Sequence, residues 1–202
     1  MNYFYDQCHH MSREILTALA LGLGLPSPSA LLASHSGLNN QLRLLHYPPL
    51  PAALLENEKM VRIPGHSDWS SITMLFQDDC GGLEVEHPRE PGRFLPVPPI
   101  TNALVLNIGD LMMRWSNDVL RSTVHRVGLP PGDDRYTGVE RMVRERYSIP
   151  YFVAPDPDTL VECLESCVGP GGRKYDGITQ REYGRMRAMA HYMEKPAGEE
   201  GV

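Results

Sequence analysis

The stretch HSDWSSITMLFQDDCGGLEVE, residues 66–86, places a His-Ser-Asp triplet directly before two short apolar runs. The runs at 71–77 and 83–86 are separated by acidic and glycine residues, a pattern typical of β-strands joined by a turn. In an extended backbone, positions i and i+2 point to the same side. His66 and Asp68 can therefore meet one metal ion, although a surface histidine beside a turn aspartate has the same pattern.

The same alternation of short apolar runs and turn residues extends over residues 42–152. Besides the two strands above, it predicts six strands, at 42–47, 59–63, 93–97, 103–107, 122–127 and 143–152. Eight short strands at this spacing predict a mainly β fold, a double-sheet jelly roll, which is also called a double-stranded β-helix.

A long helix is predicted before this β region, at residues 2–24, where Gly24 and Pro26 end it. Its apolar stripe consists of residues three or four apart: Phe4, Cys8, Met11, Ile15 and Leu19. The apolar stretch before Pro26 superficially suggests a signal peptide. Asp6 and Glu14 precede it, however, and the stripe starts too early, so we expect a packed helix.

A second helix is predicted near the other end of the chain, at residues 179–192. Thr179 is a plausible N-cap, because Glu182 follows three residues later. We expect residues 1–194 to form a single domain and residues 195–202 to form a polar tail.

The composition limits the classes of partner. The net charge of −6 over 202 residues lacks the basic excess that phosphate backbones attract, so we expect no nucleic-acid partner. We also expect no membrane partner, since no apolar run approaches the roughly 20 residues that span a bilayer. Four cysteines form no disulfide framework at this length, which favours a cytoplasmic protein. Cys163 and Cys167 are spaced like a metal-binding pair, but no second pair accompanies them.

His125 is the second candidate metal ligand, in the strand-like run STVHRV at residues 122–127. A lone strand histidine is commonly a hydrogen-bonded core residue. Two histidines and one carboxylate on jelly-roll strands, however, are the ingredients of the facial triad that binds non-haem Fe(II) and leaves coordination positions open. The sequence also lacks a phosphate-binding loop, a Gly-x-Ser-x-Gly elbow and a His-Glu-x-x-His helix, which argues against kinases, serine hydrolases and zinc proteases of those types.

Arg146 and Ser148 share one face of the strand predicted at 143–152. An inward-facing guanidinium needs an anion, because burying the charge alone is costly. Its planar fork suits a carboxylate, and the neighbouring hydroxyl can donate to the same oxygen. A structural salt bridge with one of the acidic residues of the chain is the alternative.

Taken in order, these segments resemble the 2-oxoglutarate- and Fe(II)-dependent dioxygenases of the isopenicillin N synthase-like group. The resemblance covers residues 1 to about 192. The segments that carry it are 66–78 and 81–85, then 107–110, 115–117 and 122–127, and finally RYSIPYF at 146–152.

The resemblance implies a ligand set and a co-substrate site. His66, Asp68 and His125 would bind Fe(II), and Arg146 and Ser148 would hold the distal carboxylate of 2-oxoglutarate. Tyr47 lies where the family has a tyrosine that also contacts the co-substrate. Leu45 and His46 replace the first two residues of the family's Asn-Tyr-Tyr-Pro. Tyr47 can alternatively be a packed turn aromatic.

The resemblance further implies an oxidoreductase that uses O₂ and 2-oxoglutarate to hydroxylate, desaturate or cyclise a small organic substrate, as in specialised metabolism. Trp69 follows a ligand and would border the substrate pocket or pack between the sheets. Phe152 would contact substrate or pack in the core. Three other functions remain open. One is a 2-oxoglutarate-independent oxidase, because isopenicillin N synthase keeps a similar Arg-x-Ser pair. The others are a truncated inactive binding protein and a cupin-like protein that holds another divalent ion.

The chain begins almost at the long helix, whereas members of the family have a segment before it. We expect one of three explanations for the short N-terminal region: a naturally minimal enzyme, a truncated gene model, or a fold that a partner completes. A sheet edge left uncovered in this way favours self-association.

Overall fold

The fold is described by a computed structural model, which covers residues 1–57, 60–130, 132, 136–139 and 141–193, with side chains to residue 190. Its helices are α1 (Asn2–Gly22), α2 (Ala52–Glu56), α3 (Asp110–Trp115) and α4 (Gln180–Met193). Its strands, in chain order, are β1 (Gln41–Leu42), β2 (Leu45–Tyr47), β3 (Leu50–Pro51), β4 (Ile63–His66), β5 (Ile72–Gln77), β6 (Leu83–Glu86), β7 (Phe94–Pro96), β8 (Val105–Ile108), β9 (His125–Val127), β10 (Tyr136–Thr137), β11 (Met142–Val143), β12 (Arg146–Val153), β13 (Leu160–Val161) and β14 (Ile178–Thr179).

Two antiparallel sheets form the body of the fold, as the jelly-roll prediction requires. The main sheet has the order β1-β12-β5-β8, and β2 also pairs with β12. The second sheet has the order β4-β9-β6-β7. A three-stranded sheet, β10-β11-β3, and the pair β13-β14 are also present. Of these strands, β3, β10, β13 and β14 were not predicted.

The two faces of the main sheet have different neighbours, because successive side chains of a strand point to opposite sides. Ile72 and Met74 of β5 are fully buried and belong to the apolar core that includes α1. Leu75, on the other face of β5, belongs to a second apolar cluster with Leu83 and Val127 of the second sheet. The space between the sheets is therefore lined by the face that carries Leu75.

The helix α1 is confirmed, and its predicted stripe faces the core at Cys8, which is buried, and at Phe4, Ile15 and Leu19, which pack against the core. Met11 is the one residue of the stripe that was predicted wrongly. The side chains buried along α1 are Cys8, Ser12, Leu16 and Ala20, whereas Met11 is exposed. Ser12 can occupy a buried position because its hydroxyl donates to the His9 carbonyl at 2.7 Å. Gly24, at φ +68°, supplies the left-handed conformation that ends the helix.

Most predicted strands are present with shorter or shifted bounds. The run at 42–47 is split, because Pro150 of β12 has no N–H to continue the ladder between the segments that pair with β1 and β2. The strand predicted at 59–63 lies instead at Ile63–His66. Residue 59, where the predicted strand begins, is outside the described residues. The predicted run at 143–152 is divided between β11 and β12.

The C-terminal helix begins as predicted, with a reciprocal cap. The Glu182 carboxylate accepts hydrogen bonds from the Thr179 hydroxyl and backbone N–H, and the Thr179 hydroxyl oxygen accepts from the Glu182 N–H. The predicted polar tail at 195–202 lies outside the described residues. Across those that are described, every helix is too short or too polar to cross a bilayer.

Candidate metal and co-substrate site

The three predicted metal ligands lie together in the structure. His66 of β4 and His125 of β9 are opposite each other in the second sheet, and Asp68 follows β4 by two residues. The two imidazole Nε2 atoms lie 3.9 Å and 3.7 Å from Asp68 Oδ1. Atoms that share one ion at about 2 Å each lie no more than about 4 Å apart, so these separations suit a shared metal ion.

Local hydrogen bonds hold both imidazoles in the tautomer that binds a metal through Nε2. His66 Nδ1 lies 2.9 Å from the Pro64 carbonyl, and His125 Nδ1 lies 3.1 Å from the Thr123 carbonyl. A carbonyl only accepts, so each Nδ1 carries a proton and Nε2 is the nitrogen that can bind a metal ion.

Asp68 is held in a similar way and is only 6% exposed. Its Oδ2 accepts a hydrogen bond of 2.8 Å from the Asn107 amide, so Oδ1 is the oxygen turned to the imidazoles. The donor set of two neutral nitrogens and one carboxylate oxygen fits Fe(II) and leaves positions for other ligands. No role for Asn107 follows from its local sequence. The one local sign of its role is that Asn107 is a polar residue within the otherwise apolar strand β8.

Other metal-binding candidates are not supported in the described part of the chain, where the His66, Asp68 and His125 group is the cluster that could hold an ion. Cys163 and Cys167 are buried free thiols, and Cys163 Sγ lies 3.4 Å from Asn117 Oδ1. His35 is also buried, between the Leu31 carbonyl and the Ser71 hydroxyl. Its burial lowers the pKa of its imidazole.

Arg146 is buried without a carboxylate. It is 1% exposed, and its Nη1 and Nη2 donate to the Ser148 hydroxyl at 3.1 Å and to Gln77 Oε1 at 3.0 Å. Its Nε has no hydrogen-bond partner, and no acidic side chain among the described residues lies within ion-pair distance. The alternative of a structural salt bridge is therefore wrong for this part of the chain. The guanidinium is left with free donors and an unneutralised charge.

Tyr47 packs against this guanidinium. It is buried in β2, directly opposite Arg146 in the register of the sheet. The Arg146 guanidinium lies 4.9 Å from the centre of its ring, and the Arg62 guanidinium lies 5.8 Å from it. Tyr47 is thus a packed aromatic residue as well as a neighbour of Arg146, so the two interpretations of this residue are compatible.

The metal ligands and Arg146 are associated with the same face of the main sheet. Thr73 of β5 lies opposite Asn107, the partner of Asp68, and Gln77 of β5 lies opposite Ser148. Thr73 and Gln77 point to the same side, because an even number of residues separates them. The four-residue spacing along β5 corresponds to about 13 Å, so the two groups occupy opposite ends of one surface between the sheets.

Comparison with protein families agrees with this arrangement. Residues 38–155 match the family described as the 2OG-Fe(II) oxygenase superfamily. The chain belongs to this superfamily. Fe(II) and 2-oxoglutarate, the two groups in the description of the family, are groups that the ligand cluster and the unpaired guanidinium suit.

Individual relatives of this oxygenase chain are similar over nearly all of it. A 2-oxoglutarate-dependent dioxygenase of Aspergillus rugulosus (htyE) is 41% identical over 195 residues, which are 95% of this chain and 58% of the relative. A proline hydroxylase of Petromyces alliaceus (buaE) is 38% identical, over 95% of this chain and 59% of the relative. A full-length Neurospora crassa protein, crystallised in complex with alpha-KG and thymine, is 40% identical with a TM-score of 0.82, over 95% of this chain and 56% of that one. The oxygenase chain therefore spans a little over half the length of these relatives.

The two predicted substrate residues of this oxygenase chain lie at the borders of the same region. Trp69 is 39% exposed, and the Arg187 guanidinium lies 5.8 Å from the centre of its ring. Its predicted packing between the sheets is wrong, and its contact with substrate stays a prediction. Phe152 is half-buried opposite Thr73, with the Arg43 guanidinium 5.1 Å from its ring. Its contact with substrate also stays a prediction.

Gln77 is a further residue of the site that the sequence analysis missed. Its amide oxygen accepts from the Arg146 guanidinium across two paired strands. This contact depends on the register between β5 and β12, which local sequence does not specify. A polar side chain at the end of an apolar strand, three positions after Met74, was the only local signal.

Proposed function

We propose that this chain is an Fe(II)- and 2-oxoglutarate-dependent dioxygenase whose residues 1–194 form one catalytic domain. The reaction couples the oxidative decarboxylation of 2-oxoglutarate to the oxidation of a small organic substrate by O₂. The observation that carries the proposal is the buried, unneutralised guanidinium of Arg146 on the sheet face that also holds the partner of Asp68. A dicarboxylate with one carboxylate at this guanidinium would supply the missing negative charge.

The metal-binding part of the proposal assigns Fe(II) to His66, Asp68 and His125. Bound Fe(II) supplies the O₂ chemistry that protein side chains lack. His66, Asp68 and His125 would hold the ion and would leave coordination positions open for the co-substrate and O₂. Asn107 and the backbone carbonyls of Pro64 and Thr123 keep the three donor atoms oriented.

The co-substrate part of the proposal assigns the distal carboxylate of 2-oxoglutarate to Arg146, Ser148 and Tyr47. The guanidinium offers a planar pair of N–H donors that match the two carboxylate oxygens. Ser148 accepts from Arg146, so its hydroxyl hydrogen is free to donate to the same carboxylate. Gln77 and the Tyr47 ring hold the guanidinium in one orientation before the ligand arrives.

The substrate part of the proposal is a small organic molecule in contact with Trp69 and Phe152. It is supported by the relatives, since one is named a proline hydroxylase and another was solved with thymine and alpha-KG. Because these two small molecules differ, they support the size class of the substrate and not its identity.

Stoichiometry tests the proposed reaction. The full chain is loaded with Fe(II) and 2-oxoglutarate without oxygen, and a visible charge-transfer band is expected from the chelate. With O₂ and a panel of small substrates, one succinate is expected for each 2-oxoglutarate consumed. Substrate oxidation without succinate would indicate the 2-oxoglutarate-independent oxidase, and binding without turnover would indicate an inactive binding protein. Asp68→Ala is the control that lacks the metal site.

Two further properties belong to this proposal. Free, buried cysteines favour a reducing, cytoplasmic setting, which fractionation of the cells that produce the protein would test.

The strand β8 pairs only with β5 among the described residues, and an unpaired sheet edge favours self-association. Sedimentation at the mass of one chain would contradict the second property.

A further inference from the structure

Asp110 accepts an unusual number of hydrogen bonds for a buried carboxylate. It is the first residue of α3 and is 3% exposed. Its Oδ1 accepts from the Ser122 hydroxyl at 2.7 Å. Its Oδ2 accepts from the Tyr183 hydroxyl at 2.8 Å and the Ser67 hydroxyl at 3.1 Å, and lies 3.3 Å from Arg187 Nη1. Both oxygens are occupied by protein donors, so Asp110 is not itself a metal ligand.

These donors come from both segments that carry the metal ligands. Ser67 lies between His66 and Asp68, and Ser122 precedes His125 by three residues. The Asp110 backbone N–H also donates to the Asp68 carbonyl at 2.8 Å. One carboxylate therefore ties together two chain segments that are more than fifty residues apart in sequence.

The C-terminal helix α4 completes this network. Tyr183 and Arg187 are one helical turn apart, so both project from the same side of α4. Arg187 Nη2 also donates to the Ser67 hydroxyl at 3.3 Å, and its guanidinium lies near the Trp69 ring. The helix α4 thus contacts Ser67, which lies between the ligands His66 and Asp68, and Trp69, which follows Asp68.

The composition of the network points to positioning of the ligands. A simple structural ion pair needs one cation and one carboxylate, whereas three of the four side-chain donors to Asp110 are neutral hydroxyls. Two of those hydroxyls, from Ser67 and Ser122, belong to the ligand-bearing segments. Groups that orient metal ligands from outside the coordination sphere commonly change metal affinity by about 10- to 100-fold when they are removed.

We propose that Asp110 is a positioning residue of the metal centre and that Tyr183 and Arg187 of α4 hold it in place. The proposal rests on the proposed function, because it assumes that His66, Asp68 and His125 bind a divalent metal ion. It assigns to α4 a role in metal binding, although that helix supplies no ligand.

Asp110→Asn tests the proposal with almost no change in side-chain volume. Its amide NH₂ replaces one acceptor oxygen by a donor, so at least one hydrogen bond that the protein donates to Asp110 is lost or reversed, and the negative charge that faces Arg187 is removed. We expect Co(II) to bind about 10- to 100-fold more weakly than to the wild-type chain. Tyr183→Phe removes a single donor and keeps the ring in the core, so it should weaken binding less.

The matched control is Asp158→Asn. Asp158 also pairs with an arginine of α4, Arg181, at 2.9 Å, but it is exposed and lies away from the ligand segments. We expect its Co(II) affinity to equal that of the wild-type chain. Arg187→Met, at a partly exposed position, carries the test if Asp110→Asn does not fold.

The experiment is a calorimetric titration of each metal-free full-length variant with Co(II), followed by the visible spectrum at saturating Co(II). The spectrum reports coordination geometry, which a loss of fold stability alone does not change, and urea unfolding of the metal-free variants measures that stability separately. Weaker binding with altered bands in Asp110→Asn or Arg187→Met supports the proposal. If these variants fold and show the Co(II) affinity and the visible bands of the wild-type chain, this inference is overturned and the proposed function is not. No Co(II) binding by the wild-type chain overturns the proposed function and this inference together.

Discussion

Arg146→Met removes the charge and the hydrogen-bond donors of the guanidinium while it keeps an unbranched side chain in the buried space. We expect opposite effects on co-substrate binding and on fold stability. The 2-oxoglutarate affinity should fall steeply, because the proposed carboxylate partner loses its cation. The ligand-free chain should be as stable as the wild type or more stable, because an unneutralised buried charge is removed.

The magnitudes follow from the environment of Arg146. Truncating one partner of a buried, hydrogen-bonded charge pair costs about 3–5 kcal/mol. At about 1.4 kcal/mol per factor of ten, the dissociation constant of 2-oxoglutarate should rise about 100- to 4,000-fold. In the ligand-free chain, Arg146→Met removes the guanidinium from the Tyr47 ring, a contact worth about 0.5–2 kcal/mol. The other losses are the hydrogen bonds to the neutral Ser148 and Gln77. Each is worth about 1 kcal/mol net, and the relieved burial of the charge offsets this loss.

The assay is an anaerobic titration of the Fe(II)-loaded chain with 2-oxoglutarate, monitored by the visible charge-transfer band, with urea unfolding of the ligand-free chain alongside. Arg181→Met serves as the control, since it removes an exposed arginine that pairs with Asp158. An unchanged dissociation constant in Arg146→Met would refute the assigned role. A loss of several kcal/mol in the stability of the ligand-free chain would refute the claim that the guanidinium awaits an anion.

Three further predictions concern the surroundings of the site. Asn107→Ala removes the donor to Asp68 Oδ2 and should weaken Co(II) binding by about 10- to 100-fold in calorimetry. Burial lowers the pKa of His35 below its value of about 6.5 in the unfolded chain, so its contribution to stability is present above pH 6.5 and is lost at lower pH. Urea unfolding at pH 6.5 and 5.5 should show a loss of stability that is up to about 1 kcal/mol larger in the wild type than in His35→Gln. Gly109→Ala should destabilise the fold by about 1–3 kcal/mol, because the added Cβ would overlap the Ser70 carbonyl.

Each of these predictions has a matched control or a contrary result. Asn57→Ala removes an amide that donates to a backbone carbonyl at the surface and should leave Co(II) affinity unchanged. Equal pH dependence in the wild type and His35→Gln would exclude His35 as a source of acid sensitivity. Gly171→Ala, where an added Cβ meets nothing within 4 Å, should unfold at the same urea concentration as the wild type. Gly109→Ala with wild-type stability would contradict the steric argument.

The metal ligands could be predicted because their signal is local. The spacing of His66 and Asp68 puts them on one side of an extended segment, and His125 lies in a strand-like run. Their convergence depends on the pairing of β4 with β9, which the apolar runs alone did not indicate and which the resemblance to the dioxygenase family implied. The alternation around Arg146 likewise placed it on one face with Ser148, and both side chains are buried in the structure.

The groups that support these residues could not be predicted, because they depend on register and burial. Asn107 and Gln77 reach their partners across paired strands, and a shift of one residue would turn them to the other face. Asp110 resembles any aspartate after a strand, and most aspartates are exposed. The burial of Ser12 in α1 depends on a hydrogen bond to the His9 carbonyl, which hydrophobic periodicity does not register.

The position of β12 in the main sheet has a consequence for synthesis on the ribosome. This strand is made last among the strands of its sheet, yet it pairs with β1, β2 and β5. Gln41 must therefore wait until Phe152 has emerged, and during that time the early strands expose backbone groups that nascent-chain chaperones or neighbouring polypeptides can bind. Pairings that are this distant slow folding, because loop-closure entropy is lost before contacts compensate for it. Translation speed and chaperone supply should consequently affect the yield of this protein more than that of a helical protein of equal length.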